Sequence, residues 1–172
     1  MNAKIRKMKN AGNVSRSVAR LAAVQALYEL EMSNASPDAV LLEFVKHRWE
    51  NQESDDGGEL AEPDKELFLK IVRGVHADKT SLKKLLDSAL SGEWTTDRLE
   101  VVLRVVLLSG LFELKSLQDV PPKVVINEYM EVAKAFFDGG EVSMVNGVLD
   151  KMAKLLREEE VAAVSSTDGN EE

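Results

Sequence analysis

The chain has no cysteine. That excludes disulfides, a thiolate nucleophile and zinc sites built on sulfur, and it suits a reducing compartment, so a cytoplasmic location is expected. Histidine is scarce as well: His47 and His76 each stand on a helical surface pattern without a second ligand at metal spacing, and both read as structural or solvated. The longest apolar run, Leu99 to Leu114, is broken by Glu100 and Arg104 and falls short of the roughly 18 residues of a membrane span. The basic start has no apolar stretch behind it and does not read as a secretory signal. Gly57-Gly58 and Gly139-Gly140 lack the flanking strand that a phosphate-cradling loop requires, and the paired acids Asp55 and Asp56 fall in a polar loop. No nucleophile stands with a base. Neither catalysis nor a metal or cofactor is expected.

What remains is a chain built to fold. Of 172 residues, 44% are hydrophobic and 30% charged, and the two kinds are interspersed as in a globular protein. The net charge of −8 argues against a generic nucleic-acid binder, yet the charge is segregated. Residues 1–20 hold Lys4, Arg6, Lys7, Lys9, Arg16 and Arg20 and no acid, so this arm is +6 while the rest is −14. Such an arm is either a solubilising tail or a grip on a polyanion.

Every periodic segment has helical spacing. Val18, Leu21, Val24, Leu27 and Tyr28 mark one helix face between Ser15 and Glu31, where Arg16 and Arg20, four apart, neighbour each other. Ser36 and Pro37 give an N-cap and a first-turn proline for a second helix ending near Trp49. Asn51 to Pro63 reads as a loop or linker, followed by stripes at Leu67, Phe68, Ile71, Val72 and Val75 and at Leu82, Leu85, Leu86, Ala89 and Leu90. Ser91, Gly92 and Thr95 to Asp97 break the pattern and predict a hinge between halves. Leu99 to Leu114 is apolar nearly all round, and a strand of that length would far exceed the usual five or six residues, so it predicts a central buried helix. Along it the stripe Glu100, Arg104, Leu108, Leu111 starts charged and turns apolar; the apolar end is either covered by another helix or open to a partner. Pro121 and Pro122 open a sixth helix, and Val145, Val148, Leu149, Met152 and Leu156 mark a seventh after the Asp138-Gly139-Gly140 turn.

Two segments carry a resemblance. Ala19 to Glu31, ARLAAVQALYELE, and Asp119 to Leu149, DVPPKVVINEYMEVAKAFFDGGEVSMVNGVL, with FEL at Phe112 to Leu114, resemble the signature regions of the NusB family over about residues 15–157. The resemblance implies an all-α, NusB-like fold of about seven helices in two small bundles, without enzymatic activity. It implies pairing with NusE, a small-subunit ribosomal protein, binding of boxA RNA in ribosomal RNA leader transcripts, and a place in the RNA polymerase antitermination complex.

For the individual residues, the resemblance carries RNA contact over to Arg16 and Arg20, more weakly to Gln25, and to the positions of Ser143 and Met144, where many members have Lys-Phe. Charge adds Lys7 and Lys9 of the arm. Tyr28 of the QALY motif lies where the family meets NusE, and the stripe Glu100, Arg104, Leu108, Leu111 is the second partner-binding candidate; many members have an arginine at the position of Leu108. Asn127, Glu128, Asn146 and Gly147 match the family and read as capping and close helix packing.

The expected organisation is a basic flexible arm over 1–14, bundles over 15–90 and 97–157, and an acidic disordered tail over 158–172. Two other functions compete: a protein-only adaptor whose arm merely solubilises, and a stand-alone relative of the NusB-like domain of RNA cytosine methyltransferases, which lacks the catalytic domain and cysteine those enzymes need.

Overall fold

The computed structural model describes residues 3–49 and 61–158, with side chains from residue 11 onward. Seven α-helices and no strand are found among them: α1 Ala3–Met32, α2 Pro37–Glu43, α3 Lys65–Ala77, α4 Lys79–Ala89, α5 Val101–Ser116, α6 Pro122–Lys134 and α7 Gly140–Leu156. The all-helical expectation therefore holds. None of the described helices is long and apolar enough to cross a membrane. The expected acidic tail from Glu158 lies outside the described residues apart from its first member.

The helices form two compact units, Met1–Ala77 and Asp78–Glu172. This corrects the expected split at Ser91 to Asp97. The glycine and polar residues there build a turn inside the second unit, where Gly92 takes φ +70° and a 3₁₀ turn follows at Thr96–Arg98. Thr96 is held by Asp87 of α4, whose Oδ1 accepts from the Thr96 amide and hydroxyl, both at 2.7 Å. The break in hydrophobic period is thus a tight corner, and α4 belongs with the helices that follow it.

In the first unit α1 packs on α3 and α2. Ser36 caps α2, accepting from the Ala39 amide at 3.2 Å. Past Glu43 the backbone widens into a π-helical turn, Phe44–Trp49. Its aromatic ends meet α3: Trp49 stands edge-on to Phe68 with ring centroids 4.7 Å apart, and Phe44 lies 5.4 Å from Phe68. The whole predicted α3 stripe, Leu67, Phe68, Ile71, Val72 and Val75, is buried. α1 is longer than expected: its backbone is helical from Ala3, through most of the segment expected to be a flexible arm.

In the second unit α5 is the hub, packed on α4, α6 and α7 and buried from Val105 to Leu114. Close approach is made at Gly110, where a methyl group would lie 2.8 Å from Cδ1 and 2.9 Å from Cδ2 of the buried Leu149. Gly147, expected to serve such packing, faces open space, and Asn127 and Asn146 are exposed. The α5 C-terminus, where the Leu117 amide makes the last helical bond to the Glu113 carbonyl at 3.0 Å, is closed by Arg157. Its Nε donates to the Leu114 carbonyl at 2.8 Å, Nη2 to those of Glu113 and Leu117 at 3.0 and 2.9 Å, and Nη1 to that of Val120. Lys115 adds a second tie, donating to Asp78 at 2.5 Å and to Ser81 at 3.0 Å.

Candidate functional site

Within α1 the RNA and partner residues expected from the sequence do not share one face. On α1 the helical step of about 100° per residue places Arg16, nine residues before Gln25, on the opposite side of the helix from it. Arg20 shares the inward side with Ala19, Ala23 and Leu27 and is only 2% exposed. The expectation of Arg20 as a cation projecting to solvent is corrected. The same i, i+3, i+7 spacing that links Arg20 to Ala23 and Leu27 was available in the sequence and marks a core position. Arg16 is half-buried, and its Nε is shut away from solvent without a hydrogen-bond partner among the described residues. Lys7 and Lys9 lie on the helical backbone upstream, with side chains outside the described set.

Gln25 and Tyr28 occupy the outward side, and Tyr28 is 39% exposed. Its ring therefore belongs to the surface, as a binding residue requires. Within the second unit, Ser143 is exposed and Met144 half-buried in the first turns of α7. The stripe on α5 splits: Glu100 is exposed at the N-cap and Arg104 half-buried, while Leu108 and Leu111 are 2% and 0% exposed. Leu108 and Leu111 are core residues, so the apolar end of that stripe is covered by the protein's own helices. Near its charged end the Asp97 carboxyl is held below its ordinary 3.8, first by the hydrogen bond from Lys83 at 2.9 Å and then by the charges of Lys83, Arg104 and Lys79.

One surface was not legible in the sequence. Val14, Val18, Leu21 and Gln25, one outward stripe of α1, form a wall of a groove of about 440 Å³. Phe44, Arg48 and Trp49 of the π turn line it as well, together with Ala61 and Pro63. The segment before α3 is tied to α1 by the Asp64 amide, which donates to the Ser15 carbonyl at 3.0 Å, while the Asp64 side chain accepts from the Leu67 amide at 2.9 Å. The Arg48 guanidinium lies 4.1 Å above the Phe44 ring and 3.8 Å from the Glu29 carboxylate, both partners of that ion pair being partly exposed. The only advance signal was the compact run Lys46-His47-Arg48-Trp49, a basic stretch ending in an aromatic.

Residues 17–154 match the family model described as the NusB family. The chain belongs to the NusB family. It is 44% identical over 143 residues to the transcription antitermination protein NusB of Caulobacter vibrioides, a match spanning 83% of this chain and 95% of that protein. The NusB of Bartonella quintana is 44% identical over 142 residues, 83% of this chain and 90% of its own. Among solved structures, the NusB of T. maritima superposes with a TM-score of 0.66 at 28% identity, covering 86% of this chain and 96% of that one. A NusB chain in a crystal structure of the antitermination factors NusB and NusE in complex with dsRNA superposes at 0.65, with 24% identity, 81% of this chain and 96% of that one, and shares the NusB fold.

Proposed function

We propose that this chain is a transcription antitermination factor that pairs with NusE, binds the boxA segment of ribosomal RNA leader transcripts and helps RNA polymerase pass terminators. The supporting observation is the likeness to transcription antitermination proteins along nearly their whole length, 95% of the Caulobacter vibrioides protein. The protein acts as a binding scaffold in the cytoplasm, not as an enzyme, and needs no cofactor.

Gln25, Tyr28, Glu100, Arg104, Ser143 and Met144 keep their proposed roles, Gln25, Ser143 and Met144 toward RNA and Tyr28, Glu100 and Arg104 toward NusE. Lys7 and Lys9 neutralise backbone phosphates and release their counterions, and Arg16 contributes from a half-buried position. The burial of Arg20 removes one cation from the RNA set, and with the net charge of −8 it is the observation that favours a protein-only adaptor. Gel mobility shift separates the two. The chain with NusE should retain single-stranded boxA RNA in preference to a shuffled strand and to a duplex of the same sequence, with affinity falling as salt rises. No retention at low salt while NusE still binds leaves the adaptor reading; equal retention of boxA and shuffled RNA leaves RNA binding without the boxA preference.

A further inference from the structure

The groove between α1 and the π turn has the composition of a nucleobase seat, and we propose that it takes one unstacked base of a single-stranded RNA, with Arg48 on the adjoining phosphate. This inference rests on the RNA-binding reading above and adds a location to it. Three observations carry it. The first is size and lining. A groove of about 440 Å³ falls within the range of small-ligand clefts, and its walls are apolar and aromatic except for Gln25 and Arg48. Trp49 is fixed by its edge contacts with Phe68 and Phe44, so it offers an indole whose position needs no ordering when a planar base arrives. An amide such as Gln25 matches the donors and acceptors on a base edge, since it presents both kinds from one planar group.

The second observation is charge. Lys46, His47 and Arg48 are consecutive, exposed and belong to the turn that lines the groove. Arg48 already lies over an aromatic ring, and its ion pair with Glu29 spans 3.8 Å with the two side chains 46% and 34% exposed. A pair so exposed contributes little, so exchange of Glu29 for a phosphate costs little. The third is backbone form: a π-helical turn is less stable than an α-helical one and recurs where function maintains it. Here it carries Arg48 and Trp49 to the same groove. A purely apolar protein side chain could fill the same groove, but it would leave Gln25 and the cationic edge without a role.

The chain contains two tryptophans, and Trp94, 53% exposed on the turn of the second unit, lines no part of the groove. A Trp94→Phe variant of the full chain makes Trp49 the sole indole. Its emission should be unchanged by NusE alone and quenched when single-stranded boxA RNA is added to the pair, in step with the mobility shift. Gln25→Ala, a surface change to a good helix former, should weaken RNA binding by about tenfold without loss of fold. Arg48→Gln should reduce the logarithmic salt slope by roughly 0.7, the share of one phosphate on a single strand. RNA binding by mobility shift with Trp49 emission unchanged, or full affinity of Gln25→Ala, overturns the base seat while leaving RNA binding intact. A change on adding NusE alone assigns the groove to protein and also overturns it. Absence of any RNA shift ends both this inference and the reading it rests on.

Discussion

The second unit closes its helix ends with side chains, whereas the first unit ends α2 in an aromatic cluster and leaves one side of α1 open. Arg157, Lys115 and Asp87 each reach from one helix to the backbone or side chains of another element, so the hub helix α5 is surrounded and its carbonyls are met. In the first unit the inward side of α1 is equally well buried, from Ala19 to Leu27, but Val14, Tyr28 and Met32 on the outward side remain 48%, 39% and 61% exposed. Apolar surface kept in water costs roughly 25 cal/mol per Å², and a protein that leaves it in a stripe beside a groove has it available for a partner. The contrast is between a unit whose helix ends are tied by side chains and one that keeps an apolar stripe of α1 in water.

The comparison breaks most readily at Arg157. Replacing it with alanine strands the carbonyls of Leu114 and Val120, while those of Glu113 and Leu117 keep the amides of Leu117 and Val120, and a loss of about 3 kcal/mol is expected in urea unfolding, with RNA binding by the folded fraction unchanged. A loss under 1 kcal/mol would show that water reaches those carbonyls and that the clamp is dispensable. Arg20→Ala comes next: with the side chain buried, it should cost about 2–3 kcal/mol through lost packing of the stem and groups left without their partner. A variant that keeps its stability but loses RNA binding would return Arg20 to the recognition set.

Tyr28→Ala should stay within about 1 kcal/mol of the parent, because the ring already meets water, while weakening NusE capture in a pull-down. If it instead unfolds the protein by several kcal/mol, the first unit depends on that ring for its core. The smallest effect concerns Asp97. Because its folded-state pKa lies below the ordinary 3.8, its contribution to stability is complete above that value and is lost as pH falls through the lowered one. Lys83→Met should move the carboxyl titration, followed by NMR, up toward 3.8; an unmoved titration would mean that the lysine is not its cause.

The fold was legible because helical period survives in every segment: the α3 stripe and the hub α5 are buried as their spacing requires. The unit boundary was not, since Ala77 and Asp78 join two helices directly, with no glycine or proline to mark the change. Site residues were legible only where helical phase was followed to its end. Gln25 and Tyr28 are outward, but the charge of Arg20 masked its inward phase; for Leu108 and Leu111 the all-round apolar pattern of the helix already pointed to the core, and only the charged start of their stripe kept a partner face open. The groove depends on a π turn, which joins Arg48 and Trp49 through a register that period-counting at 3.6 does not represent.

Arg157 also sets an order of events during synthesis. The carbonyls it serves lie 37 to 44 residues earlier in the chain. As the chain leaves the ribosome from its N-terminal end, α5 emerges with its last turn still bound to water, and α6 and nearly all of α7 must follow before the guanidinium arrives. Packing of the first unit needs no such wait, since all its helices precede α4. The second unit is therefore locked late, by one of the last described residues, and a chain cut short within α7 would carry every helix of the first unit without the lock on the second.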